Sequence, residues 1–300
     1  MNQMKYSLFV LIGASSYGIS SSFIKMTIGA GYTAQEAMGG QYLFGVLMLS
    51  IALLFTKKER MTARQTFELL FVGLFVSLTS ILYANSLALV PAAIAVVMLF
   101  QFTWIGILIE AVHTRKFPSS AKLVSVLLLW MGTLLAAGIG SAGFDWRENM
   151  AGVVYGLLSA VSFALFIFFS GKAGRGVPVI QRSTVISAGG LAFLLLMISP
   201  SYIIDGTVTG GLWKFGLILG LTGIILPVVL FAVGTPKIDS GTATIAGAAE
   251  LPAAILAAML ILGEAITVQQ TMGIALILAG MAIPQMKFPS GKRRRRLQRS

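Results

Sequence analysis

Cysteine is absent from this chain of 300 residues, so disulfides, thiolate metal sites and cysteine nucleophiles are excluded. Histidine occurs once, at His113, which leaves no material for a histidine metal cluster or a histidine-based triad. Charge is scarce as well: 11% of the residues are Asp, Glu, Lys or Arg, where a soluble domain carries about 25%. Hydrophobic residues make up 57% and the mean hydropathy is +0.89. Such a chain cannot cover itself with polar surface, and it reads as an all-α integral membrane protein. A phosphate-binding loop motif is missing too, so ATP hydrolysis would need a partner subunit. Neither a cofactor nor a metal is expected.

Ten apolar segments are present, at 6–27, 35–55, 68–89, 92–112, 120–140, 150–171, 183–204, 213–234, 239–262 and 267–286. Each runs about 18–23 residues, enough to cross about 30 Å of hydrocarbon at about 1.5 Å per residue. Lys5 and the apolar run behind it resemble the start of a signal peptide. That run is long enough to span, and no small-residue cleavage site follows it, so a retained first helix is expected. The segments fall into two sets of five, the second repeating the first about 147 residues later (Lys25 to Lys172). Ser16-Tyr17-Gly18 corresponds to Ser162-Phe163-Ala164, Gly132 to Gly280, and Gln101 to Glu250 with a one-residue gap. Five is odd, so the second copy enters the bilayer the other way up. The expected architecture is ten transmembrane helices as two inverted five-helix repeats, 1–144 and 145–286, followed by a basic cytoplasmic tail, 287–300.

The net charge of +12 is arranged by topology. With the N-terminus inside, only Lys25, Arg147 and Lys214 of the 22 basic residues face outward. The positive-inside rule therefore places both termini in the cytoplasm, in a multi-pass protein of the cell membrane. Nucleic acid is not an expected partner, because no basic stripe with interleaved aromatics occurs. The Lys292–Arg296 cluster serves topology and also suits anionic headgroups of the bilayer.

Most of the remaining signals serve packing. Gly152 with Gly156, Gly216 with Gly220, and the alanines of segment nine give small faces for close helix contact, inside one chain or in a homodimer. Pro227 and Pro252 should kink segments eight and nine, and freed carbonyls beside a polar residue could line a cavity. Glu250 is the sharpest exception. It lies mid-way along segment nine, where an isolated charge costs about 2.5–3.5 kcal/mol or more. Such a carboxyl faces protein or water, and serves to carry protons or to hold a substrate ammonium. Gln101 lies at similar depth in segment four, with Tyr83 and Asn85 in segment three, Gln41 in segment two, Tyr17 in segment one and Trp104 near Gln101. Together these seven are the candidate substrate-binding residues, an amphipathic cavity with aromatic walls. Glu250 is also the candidate for proton coupling. Lys25 is expected to snorkel to the headgroups or to pair with Glu36, and Glu110 and Glu264 to stand at mirrored span ends.

Two five-helix halves with short loops, Pro252-Ala253-Ala254, Leu262-Gly263-Glu264, and then Gln270, Gly273 and Gly280 resemble the EamA family of the drug/metabolite transporter superfamily. The resemblance covers about residues 6–286. It implies export of amino acids or similar metabolites through a central cavity by alternating access. Segment one has no acidic residue, so the first-helix glutamate of the small multidrug exporters has no counterpart. No basic residue is expected at mid-depth, which disfavours a highly anionic substrate. The expected function is a secondary exporter of small amphipathic metabolites, amino acids foremost, with no enzymatic activity. A drug or other metabolite carrier, including one working in the uptake direction, is the alternative. An intramembrane lipid-modifying enzyme or a channel fits less well, the one for want of a nucleophile and base, the other because an internal repeat is not a ring of subunits.

Overall fold

The computed structural model describes residues 2–138 and 149–285. The tail 287–300, Arg147 and the expected 144/145 boundary between repeats lie outside the described residues. Helices form almost all of the rest, and no strand occurs among the described residues.

In the first half, α1 (Asn2–Gly29), α2 (Ala34–Leu54) and α3 (Ala63–Leu89) are continuous. Capping boxes start two of them, Thr33 with Glu36 and Thr62 with Gln65, so the first amide groups are satisfied where the chain turns back. The fourth segment is broken into α4 (Ala92–Leu99) and α5 (Phe102–Thr114), and α6 (Ser120–Ala136) follows. The second half holds α7 (Met150–Ser170), α8 (Val179–Met197) and a single turn, α9 (Ser201–Ile204). Then come α10 (Trp213–Gly220), α11 (Leu226–Gly234), α12 (Ser240–Gly247), α13 (Glu250–Leu262) and α14 (Val268–Ala282).

Eight helical segments, counting α4 with α5, α10 with α11 and α12 with α13 as one each, are long and apolar enough to cross a membrane. The fifth and tenth expected spans appear as shorter apolar helices of 17 and 15 residues, α6 and α14. Segment seven also sits earlier than expected. Pro178 caps its start, and Ile198 is extended (φ −122°, ψ 135°) ahead of Ser199-Pro200. Arg182, expected among the loop cations, is thereby drawn into the first turn of α8.

The breaks have local causes. Pro252 has no amide hydrogen and its ring crowds the carbonyl four residues back, that of Ala248, where α12 gives way to α13. Segment four has no proline. Side chains take over its carbonyls instead: Gln101 Nε2 donates to Val97 O at 2.7 Å and Thr103 Oγ1 to Phe100 O at 3.0 Å. A π turn, Leu221–Ile225, precedes Pro227 in the same way. Both broken segments consist of 8 and then 13 residues, starting at Ala92 and at Ser240, and both end on a left-handed residue, Arg115 (φ 54°) and Gly263 (φ 71°). Counted from those starts, Glu250 takes the place that Phe102 has in the other segment, one residue from Gln101.

The halves interleave. Helix α1 packs on α11, α12 and α13; α2 on α8 and α10; α3 on α7 and α8; α5 on α7 and α12; and α6 on α14. Close approach depends on glycine at two of these crossings. A Cβ on Gly18 would collide with Glu250 O and lie 2.7 Å from Ala254 N, and one on Gly73 would collide with Ile186 O. Ring contacts among Tyr17, Phe163, Phe166 and Phe231 fill the middle of the bundle.

Candidate functional site

Glu250 is the first residue of α13, so the break beneath Pro252 puts its carboxyl at a helix N-terminus inside the bundle. The partial positive charge of that terminus favours an anion. Among the described residues the carboxyl makes no hydrogen bond and no ion pair, and the residue is only half-buried. It is close enough to the hydroxyls of Tyr17 and Tyr83 to act on both electrostatically, and Tyr42 acts on Tyr17 in the same way. Tyr17 Oη is buried without a partner. Tyr42 Oη meets Ser80 Oγ at 3.5 Å. Tyr17 from α1 packs against the rings of Phe163 (6.1 Å) and Phe231 (6.3 Å), and its neighbour Gly18 meets the backbone of Glu250.

Gln41 lies near this group. Its Nε2 donates to Gly223 O at 3.4 Å, while its buried Oε1 and the neighbouring Ser20 Oγ have no partner. Elsewhere on α1, Ser16 Oγ donates to Thr222 O at 2.6 Å, tying the helix to the π turn.

Gln101 is buried: its Oε1 accepts from Trp104 Nε1 and Trp130 Nε1, both at 2.8 Å, and its Nε2 donates to Val97 O. Its side chain closes the gap in segment four and ties it to α6. Trp104 is nearly half exposed. Asn85 is exposed and donates to Ile81 O of its own helix at 2.9 Å. The start of α13 at Glu250 thus lies against Gly18, the neighbour of Tyr17 in α1, while the Gln101 oxygen is taken by two indoles and Asn85 is bonded to its own helix.

Ion pairs hold both ends of the bundle. At one end Lys122 Nζ donates to Glu110 (2.7 and 2.9 Å) and to Asp239 Oδ1 (2.6 Å), joining α5, α6 and the start of α12. Gly241 N–H also donates to Glu110 at 2.9 Å. Burial pushes the Asp239 carboxyl up, but hydrogen bonds from Lys122 and Thr242 and the Lys122 charge outweigh it and hold the group below the usual carboxylate range. A cavity of about 160 Å³ lies there, lined by Gln3, Ser7, Lys122, Asp239 and Thr242 among others. At the other end Lys25 Nζ pairs with Glu264 at 3.0 Å, across α1 and α13. Glu36, the partner considered from the sequence, caps α2 instead. A second cavity, about 200 Å³, opens beside that pair and includes Ser21, Ser22, Ala258 and Gln270.

The sequence model of the EamA-like transporter family matches the chain over residues 4–138 and again over 150–283. A protein of Archaeoglobus fulgidus named "Uncharacterized transporter" is 30% identical over 203 residues, 61% of this chain and 73% of that protein. A solved crystal structure superposes with a TM-score of 0.71, covering 93% of this chain and 94% of the other. Its 16% identity makes that a likeness of fold alone.

Proposed function

Since the chain belongs to the EamA-like transporter family, within the drug/metabolite transporter superfamily, we propose that this multi-pass membrane transporter is a secondary exporter of small amphipathic metabolites, with amino acids as the favoured class. One observation carries the reading: Glu250 is an unpartnered carboxyl at an internal helix N-terminus, where α13 packs against Gly18, the neighbour of Tyr17. A carboxyl without a fixed partner can receive a substrate ammonium or a proton, and the surrounding rings suit an apolar side chain. Gln101 and Trp104 then stiffen the broken segment four, and Asn85 bonds to its own helix.

Ten spans in two inverted repeats remain the topology of this proposal, with α6 and α14 as short fifth and tenth spans and both termini in the cytoplasm. Its support lies in the packing. Exchanging α1, α2, α3, α4/α5 and α6 for α7, α8, α10/α11, α12/α13 and α14 maps the main helix contacts onto one another. The family match falls once on each half. In alternating access the Lys122 cluster and the Lys25–Glu264 pair open in turn, each on its own side, around a site at the halves' interface.

Efflux from proteoliposomes preloaded with a panel of radiolabelled amino acids, with and without a pH gradient, tests the reading. Saturable efflux of one class that is lost in Glu250→Gln supports it. Flux in Glu250→Gln equal to the wild type at every pH would sink the role of Glu250. Absence of efflux for every amino acid would transfer the substrate to other metabolites or drugs.

A further inference from the structure

Arg182 is the least expected group in the bundle. It lies in the first turn of α8 with 6% of its surface exposed. Its Nη1 donates to Ala232 O at 3.5 Å, while Nε and Nη2 have no partner. Guanidinium stays charged in proteins, and burying it unpaired costs several kcal/mol. No described carboxylate forms an ion pair with it. Helices α2, α3 and α11 pack against α8, and the acidic residues they carry are committed elsewhere: Glu36 caps α2, and Glu68 binds Arg64 and Gly174 N–H. The C-terminal carbonyls of α11 attract a cation, which accounts for Nη1 alone. Nε and Nη2 form the side of the guanidinium that takes a carboxylate through two parallel hydrogen bonds. That side is left without a partner in a desolvated place.

We propose that Arg182 is a carboxylate-binding residue of the transport path, so that the solute class is organic acids or zwitterions with a free carboxylate. Ala232 follows Phe231, whose ring packs on Phe166 at 5.5 Å and on Tyr17 at 6.3 Å, so the helix that holds the guanidinium also carries one ring of the central aromatic group. This deepens the transporter reading and rests on it.

Binding is testable without transport. Thermal unfolding of the purified full chain in detergent, followed by tryptophan fluorescence, is measured against potassium benzoate, benzamide and potassium chloride at constant ionic strength. The wild type should be stabilised saturably by benzoate and not by benzamide or chloride. In Arg182→Gln the benzoate affinity should fall at least tenfold, while Arg182→Lys, which keeps the charge and loses the fork, should be intermediate. A wild type indifferent to benzoate, or equally stabilised by chloride, overturns the proposal. So does Arg182→Gln with wild-type benzoate affinity, and where that variant does not fold, unchanged affinity in Arg182→Lys does the same. Loss of this inference with amino acid efflux intact would leave the exporter reading standing, since the two are measured separately.

Discussion

Substituting Gly18 by alanine adds one methyl group at the point where α1 touches the start of α13. The new carbon would collide with Glu250 O and lie 2.7 Å from Ala254 N and 3.0 Å from the Ala253 Cβ. Two of these neighbours are backbone atoms of a helix and cannot rotate away. Carbon contacts are comfortable at about 3.5–4.0 Å, so α1 and α13 must separate by about 1 Å. Overpacking of this kind costs about 1–3 kcal/mol. We expect about 2 kcal/mol here, and a displaced Glu250. Gly29→Ala on the same helix is the control, because its added carbon meets nothing within 4 Å and alanine is the better helix former. Thermal unfolding in detergent should show Gly18→Ala melting several degrees below the wild type, and Gly29→Ala unchanged or slightly above. Efflux should fall in the first variant only. Equal melting temperatures and equal flux in the two variants would refute the close contact of α1 with α13 and the placement of Glu250 that depends on it.

Other perturbations give separate checks. Lys122→Ala removes the cation shared by Glu110 and Asp239 and should cost about 2 kcal/mol in thermal unfolding. That is less than the roughly 3–5 kcal/mol of a fully buried pair because Asp239 is 40% exposed and screened. Lys122→Met combined with Glu110→Gln and Asp239→Asn should recover most of the loss. Because the folded-state pKa of Asp239 is depressed, its stabilisation is present above the unfolded value of about 3.9 and is lost as pH falls through the lower folded value. The wild type should therefore lose more stability than Asp239→Asn as the pH falls below about 4. Gln101→Leu leaves the Trp104 and Trp130 indole N–H groups without their shared acceptor, and about 1–3 kcal/mol should be lost, with a shift in tryptophan emission.

Membrane class and family were legible in the residue order, because each follows from local composition, short motifs and chain length. A run of about 20 apolar residues needs a bilayer wherever it packs, and a glutamate inside one needs an explanation whatever surrounds it. The break above Ala248 was legible too, through Pro252, although its twin at Gln101 was not, since there side chains rather than a proline release the carbonyls.

Partnership was decided by the tertiary structure. Gln101 reads as an open amide until Trp130, on α6, takes its oxygen together with Trp104. Lys25 and Glu36 are near in sequence, but the lysine meets Glu264 near the other end of the chain. Arg182 reads as one more loop cation until α8 starts at Pro178 and buries it beside Ala232. Periodicity and composition report what a residue is and how deep it lies along its own helix. Which face meets which helix depends on close approaches such as those at Gly18 and Gly73, made between segments far apart in the chain, and those contacts decide which polar groups are satisfied and which are left to bind something else.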